Sequence, residues 1–248
     1  MDVKIWVFAL CYNEAYMMPY FLRHYSTFAE RIIVYDSQST DGTRELVEAC
    51  PKAELRDFTK CEDIDDEVFV NFVNDQYKEA RGQADWVIWP DCDEFVYHPN
   101  LSGLLQGYQN RGVNIAHVRG YLMVADSPVN GGGQIYDSAR FGLPDRMCCK
   151  PLVWSPDIEN VGFESGRHLC FPTKDACWSE RHEIKILHYR YFGRDYLRER
   201  NAKQFSRLSE RNQKAKLGFQ VWPDYVGEWD ENWYDKVAKP ARVDALND

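Results

Sequence analysis

The sequence predicts an α/β fold: a central, mostly parallel sheet flanked by helices, with a C-terminal helical extension. Two observations carry this expectation. Short apolar runs at Val3 to Leu10, Arg31 to Tyr35, Ala53 to Phe58 and Trp86 to Trp89 alternate with helical patterns over the first 95 residues, as βαβ units require. Two of these runs end in acidic residues, at Asp36 and Asp91. In a parallel sheet such strand ends share one edge, the edge at which ligands bind. The chain has 248 residues, 44% of them hydrophobic and 28% charged, which suits one globular domain with a substantial core.

Taken in order, Val3 to Leu10 is apolar almost throughout and reads as a central strand. Cys11-Tyr12-Asn13-Glu14 ends it, and a helix with its first turn at Pro19 follows. After the strand Arg31 to Tyr35 comes a polar turn, Asp36-Ser37-Gln38-Ser39-Thr40-Asp41-Gly42-Thr43, rich in cap formers, then a helix Arg44 to Cys50. Ala53 to Phe58 is the third strand. Asp65 to Gly82 fits a helix with Val68, Phe69, Phe72, Val73 and Tyr77 on one face. Trp86 to Trp89 is the fourth strand.

The stretch WVIWPDCDEF then breaks at Pro90 and delivers Asp91, Asp93 and Glu94. Carboxylates at such close quarters repel and raise one another's pKa. A hard divalent cation, Mg²⁺ or Mn²⁺, relieves that repulsion, and a site of this type fills its remaining positions with water and substrate phosphate. The plain alternative is an acidic turn. There is no G-x-G-x-x-G after the first strand and no G-x-x-x-x-G-K-[ST] anywhere, so neither a dinucleotide fingerprint nor a P-loop is present. A net charge of −9 argues against general affinity for nucleic acid. No apolar run is long enough to span a bilayer and the N-terminus lacks a signal-peptide pattern, so a soluble, cytoplasmic protein is expected. The eight cysteines form no C-x-x-C pair and read as reduced, mostly buried residues.

With these residues assembled, ALCYNEAYMMPYFLRHY, RIIVYDSQSTDGTRELV and ADWVIWPDCDEF resemble glycosyltransferase family 2 proteins of the GT-A, Rossmann-like fold, in the subgroup whose metal motif reads D-x-D-E-F. The resemblance covers residues 3 to 96 well and is thinner beyond. It implies a metal-dependent transferase that moves a sugar from a nucleoside diphosphate sugar, by default a UDP-sugar, to a hydroxyl acceptor with inversion. It divides the single domain 1–248 into a nucleotide-sugar half (1–96), an acceptor half (97–190) and a basic helix with a Trp-rich tail (191–248). By the same resemblance Asp36 contacts the donor base, Asn13 and Glu14 line the base or ribose site, Asp91 lies near the ribose and metal, and Asp93 is the direct metal ligand. Many relatives carry a second acidic residue where Ala15 stands here, which bears on the base pocket.

The second half is read more thinly. Leu101 to Tyr108 is a short helix, Gly112 to Val124 a long strand, and Arg146 to Trp154 a return to the sheet with Lys150 as a phosphate partner. Asp126 to Gln134, with Gly131-Gly132-Gly133, is a surface loop or a lid that excludes water over the donor. Inversion needs a general base. Asp145, Asp157, Glu159 and Glu164 are available, and Glu164 is preferred for its glycine-flanked turn. The resemblance makes His188, in an H-Y pair, the third metal ligand, with His168 as the other candidate. Arg194 to Lys216 is a long basic helix. It is a solvated face, a clamp on the diphosphate through Arg190, Arg194 or Lys203, or a peripheral contact with a membrane bearing a lipid-linked acceptor. From Val221 the Trp-rich acidic tail, with Trp222, Trp229 and Trp233, packs back on the body. Two other readings compete: a non-catalytic carbohydrate-binding protein on the same fold, and a D-x-D phosphohydrolase with Asp91 as nucleophile. Phe95 stands where the phosphohydrolase motif wants a small residue.

Overall fold

The computed structural model describes residues 3–218, 221–222 and 243–247. Its strands are β1 (Ile5–Cys11), β2 (Arg31–Asp36), β3 (Ala53–Asp57), β4 (Trp86–Ile88), β5 (Glu94–Tyr97), β6 (Val118–Ala125), β7 (Phe141–Pro144), β8 (Val153–Trp154), β9 (Ile184–Phe192) and β10 (Val243–Asp244). Its helices are α1 (Met18–Tyr25), α2 (Thr43–Glu48), α3 (Asp66–Gln76), α4 (Leu101–Asn110), α5 (Ile135–Ser138), α6 (Arg194–Phe205) and α7 (Glu210–Lys214).

The strands form two separate five-stranded sheets, ordered β3-β2-β1-β4-β8 and β10-β7-β6-β9-β5. This corrects the expectation of one central Rossmann-like sheet. The first sheet is parallel except for β8, which runs against β4. The second is mixed: β6 and β9 are parallel and the remaining pairs antiparallel. The cause of the split lies just after β4. Pro90 has no N–H to extend a ladder. The next residues close a turn in which the Glu94 amide donates to the Asp91 carbonyl (2.9 Å) and the Asp91 amide to Glu94 Oε2 (2.9 Å). The chain leaves that turn as β5 and pairs with β9, Glu94 opposite His188. The acidic turn therefore lies on the seam between the two sheets.

Alternation along β1 supplies both faces of the first sheet. Ile5, Val7, Ala9 and Cys11 pack with Phe21, Tyr25, Leu105 and Tyr108 from α1 and α4. Trp6 and Phe8 pack on the other face with Val70 and Val73 of α3, Trp89 and Trp154. The second sheet has its own core of Phe95, Tyr121, Met123, Leu187 and Tyr189. Caps set the helix starts. Asp65 accepts from the Val68 amide (3.1 Å) at α3, and Asn100 from the Gly103 amide (3.1 Å) at α4.

Several boundaries differ from expectation. The helix expected to reach Gly82 ends at Gln76 and tightens into a 3-10 turn, Tyr77–Ala80. The long strand from Gly112 begins as a ladder only at Val118. Its upstream amides are satisfied elsewhere, Ile115 by the Cys177 carbonyl (3.2 Å) and Ala116 by the Val153 carbonyl (2.9 Å). The basic helix is two helices, α6 and α7. Ser209 breaks it by accepting from the Asn212 amide (3.1 Å), an N-cap inside the run. The 126–134 loop is tethered, with the Tyr16 and Tyr20 hydroxyls each donating to the Val129 carbonyl at 2.9 Å. Trp229 and Trp233 of the expected tail lie outside the described residues. Among the described residues no helix is long and apolar enough to cross a membrane.

Candidate active site

The first wall of the site is the pair of turns that follow β1 and β2. Asp36 is fully buried and its carboxylate is engaged on several sides. Oδ2 accepts from the Ser39 amide (2.9 Å) and Arg44 (2.8 Å), and Oδ1 lies 3.4 Å from the Cys11 thiol. Burial opposes its ionisation, but the Ser39 and Arg44 hydrogen bonds prevail and hold its pKa below the ordinary carboxylate value. The two turns are stitched together. The Asn13 amide donates to Ser39 Oγ (2.7 Å), the Thr40 amide to Asn13 Oδ1 (2.7 Å), and the Glu14 amide to Thr43 Oγ1 (2.8 Å). Asn13 and Gln38 both take positive φ, 52° and 62°. Asn is well suited to that left-handed conformation, which a short side chain bonding locally stabilises.

The second wall is the seam. Asp93 is 3% exposed. Its Oδ2 is approached by Arg200 Nη2 (2.9 Å) and His188 Nε2 (3.3 Å), and its carbonyl accepts from the Tyr189 amide (2.7 Å). His188 reaches it because β9 runs beside β5. The other imidazole nitrogen, Nδ1, faces the buried Cys148 thiol at 3.6 Å. Burial alone would lower the His188 pKa, yet the Asp93 charge and hydrogen bond raise it to about 10. Burial would likewise raise Asp93, but Arg200 and then His188 hold it well below the ordinary carboxylate range.

Asp91 turns to a different set of cations. Lys150 Nζ lies 2.6 Å from Asp91 Oδ2 and 2.7 Å from Glu94 Oε1. Arg167 binds Asp91 Oδ1 and donates to the Trp89 carbonyl (2.8 Å). Against the effect of burial, Arg167 and Lys150 hold the Asp91 pKa well below its ordinary value. Both carboxylate oxygens of Asp91 are thus occupied, and Lys150 is spent on carboxylates within the chain.

The third wall is α6. Arg200 bridges Asp93 and Glu14 Oε2 (3.1 Å). Burial, opposed by Arg200 and assisted by Asp93, raises the Glu14 pKa. Lys203 donates to the Asn13 carbonyl. Beyond the end of α6, Arg207 donates to Ser37 Oγ (3.0 Å) and the Glu62 carbonyl. Its guanidinium lies 3.5 Å from the centre of the Tyr12 ring, a cation–π contact. Four acidic groups (Glu14, Asp91, Asp93, Glu94) thus meet four basic ones (Lys150, Arg167, His188, Arg200) in one near-neutral, largely buried cluster, of which Asp91, with a side chain 39% exposed, is the most open member.

Of the residues expected at the site, Asn13, Glu14, Asp36, Asp91, Asp93, Lys150 and His188 are brought to this cluster or the turns that wall it. Glu164 is exposed and joins only through its carbonyl, which accepts from the Arg167 amide (2.8 Å). His168 stands beside Arg167, its Nδ1 bonded to the Met147 carbonyl (2.8 Å). Arg190 donates to Asn201 (2.7 Å) and Arg194 is exposed. Sequence reasoning missed Arg200, Arg167, Arg207, Tyr12 and Cys148. Arg200 alone among these carried a readable signal, because it follows Tyr196 and Leu197 at helical spacing while Arg198 faces outward.

The fit of the site to a divalent cation can be tested on its donors. Two ligands at about 2.1 Å on adjacent octahedral positions lie roughly 3 Å apart, close to the Asp93–His188 separation. The carboxylate oxygen suits Mg²⁺ or Mn²⁺, whereas the imidazole is a ligand more usual for Zn²⁺, Fe²⁺ or Ni²⁺. Asp91 does not fit as a ligand while both its oxygens are ion-paired. Among the described residues no three or more His, Cys, Asp or Glu side chains are grouped to hold one ion. A divalent cation here would take Asp93 and His188 as its two protein ligands, a number compatible with a site completed by water and phosphate.

No family model matches the chain, and no curated protein matches it. The two separate sheets correct the resemblance to family 2 transferases of the single-sheet GT-A fold. Solved structures resemble the chain distantly. The 1–349 segment of S. aureus TarS in complex with UDP-GlcNAc is 12% identical, with a TM-score of 0.45, over 96% of this chain and 76% of that one. A structure of S. aureus TarS is 13% identical, with a TM-score of 0.43, over 96% and 46%. Mannosyl-3-phosphoglycerate synthase from Rubrobacter xylanophilus is 14% identical, with a TM-score of 0.39, over 63% and 55%. Superposition at this level assigns neither fold nor activity.

Proposed function

We propose that the chain transfers a sugar from a nucleoside diphosphate sugar to a hydroxyl acceptor, with a divalent cation held by Asp93 and His188. The observation that carries this reading is the buried, charge-balanced cluster at the ends of β1, β2 and β4, where Asp93 and His188 converge beside two arginine- and lysine-bearing segments. An anionic diphosphate entering a neutral, buried cluster alone would face a large desolvation penalty. Entering together with a divalent cation, which displaces the His188 proton as it binds, it changes the net charge of the cluster by only about one unit. When bound, the cation supplies Lewis-acid stabilisation of the departing diphosphate.

The chain's own residues do the rest. Tyr12 offers its face to the base once Arg207 swings aside. Asn13, Glu14 and the turn closed by Asp36 line the nucleoside, and a UDP-sugar is the first donor to try. Arg200 and Lys203 move from Glu14 and Asn13 onto phosphate oxygens. Asp91, locked by Lys150 and Arg167, fixes the turn that aims Asp93. The anomeric carbon–oxygen bond to phosphate breaks, the acceptor oxygen bonds the same carbon from the opposite face, and the acceptor proton passes to a carboxylate; Glu164, exposed and tied to the cluster only through its backbone, would have to turn inward to take it. Inversion follows from this single displacement.

Thermal unfolding across a panel of nucleoside diphosphates, with and without Mn²⁺, tests the reading in the native protein and in Asp93→Ala. A ligand at a hundredfold excess over Kd adds about 2.7 kcal/mol to the folded state, several degrees in Tm. One nucleotide should stabilise the native protein only with Mn²⁺, and Asp93→Ala should abolish the effect. If no nucleotide shifts either protein, the reading falls.

A further inference from the structure

A cleft of about 170 Å³ lies beside the Asp91 end of the cluster, with His117, His168, Trp178 and His182 among its walls. Three of its rings form a continuous near-parallel stack. The His117 and Trp178 centroids are 4.5 Å apart at 26°, and those of His117 and His182 are 5.0 Å apart at 19°.

The histidines share one further feature. His117 Nδ1 is 2.6 Å from the Ser179 carbonyl, His182 Nδ1 is 3.0 Å from the Val118 carbonyl, and His168 Nδ1 is 2.8 Å from the Met147 carbonyl. A carbonyl oxygen only accepts, so each Nδ1 carries a proton and is engaged within the chain, which leaves Nε2 as the ring atom available to a ligand. Fixing Nδ1 in this way also prepares histidines for metal binding. Here, however, no three His, Cys, Asp or Glu side chains among the described residues are grouped to hold one ion. Imidazole edges beside an aromatic stack suit a ligand that is rich in hydroxyls, which both donate and accept, and that has an apolar ring face.

The cleft adjoins the carboxylates through chain neighbours. Its wall residue Pro151 follows Lys150, and His168 follows Arg167. These are the two cations that hold Asp91.

We infer that the His117–His168–Trp178–His182 cleft binds a neutral pyranose, the acceptor of the transfer reaction, packed against the ring stack with its hydroxyls hydrogen-bonded to the imidazole Nε2 atoms. This inference rests on the transferase reading for the ligand's role, and on the cleft alone for its chemistry.

Saturation-transfer NMR on the full chain, with methyl β-galactoside, methyl α-mannoside and methyl β-N-acetylglucosaminide, tests it. At least one glycoside should bind with a millimolar Kd. Trp178→Ala and the exposed-site variant His182→Ala should each weaken it about five- to tenfold, and Trp178→Phe should restore most of the loss. Nucleotide-induced stabilisation should be the same in all variants. If nucleotides stabilise the native protein but no glycoside binds, the cleft inference is overturned and the transferase reading stands. If glycosides bind through these residues while no nucleotide does, the cleft stands as a saccharide site and the transferase reading falls. Binding unaffected by either variant, or competed by inorganic phosphate, also overturns the inference.

Discussion

Replacing Arg200 by Met keeps the aliphatic stem and removes a charge that joins α6 to the seam. Asp93, Arg200 and Glu14 have side chains only 4%, 11% and 15% exposed. The near-zero value of surface ion pairs therefore does not apply. Removing one partner of a buried pair leaves a charge uncompensated, at about 3–5 kcal/mol. For a chain of this size that is a fall in Tm of roughly 6–20 °C. The measurement is urea unfolding at pH 7 in EDTA for native protein, Arg200→Met, Asp93→Asn and the double variant. Because Arg200 and Asp93 touch, the double variant should be less destabilised than the sum of the singles by more than about 1 kcal/mol. Mn²⁺ should recover part of the Arg200→Met loss, since a cation on Asp93 and His188 replaces the missing guanidinium charge. A single-variant loss under about 1 kcal/mol, or additivity within about 0.5 kcal/mol, would refute the assignment of Arg200 as the buried counter-charge.

Two further outcomes follow from other parts of the structure. His24 donates from Nε2 to the Val96 carbonyl (2.9 Å) amid aromatic rings, and burial lowers its pKa from 6.5 to about 4. The unfolded chain therefore binds more protons between these values, so stability falls as pH drops from 6.5 toward 4, by up to about 3 kcal/mol. The unfolding free-energy difference between native protein and His24→Phe should shrink over that interval, and a constant difference would contradict the assignment. Gly120 leaves no room for a side chain, since a Cβ there would lie 2.2 Å from the Cys148 carbonyl carbon. Gly120→Ala should lose at least about 1–3 kcal/mol by overpacking. By displacing Cys148 from His188 it should also weaken Mn²⁺ binding, which isothermal titration would read.

Most element positions in the first half were legible because burial writes itself into local pattern. β1 is apolar on both faces because both are covered, and Asp65 announces the start of α3 as a cap. Asp36, Asp91 and Asp93 were legible as carboxylates that end strands and come to neighbouring turns, because strand ends that carry carboxylates are chemically unusual. The second half was less so. Ile115 and Ala116 have strand composition, but their amides bond residues some forty to sixty positions away. Ser209 was a cap signal inside the basic run, read as part of a single helix.

By itself the sequence determined which carboxylates and turns would stand at strand ends, since that depends on hydrophobic period and on Pro90, both local. Tertiary structure decided which cation meets which carboxylate. Arg167 and Lys150 go to Asp91, and Arg200 and His188 go to Asp93, across separations of 59 to 107 residues for the three that form hydrogen bonds. No local pattern carries that choice. It follows from the division into two sheets, which sends β5 to β9 and lays α6 over the gap. Once buried there, four carboxylates had to find four cations, because an unpaired charge in that position would cost more than the fold could sustain.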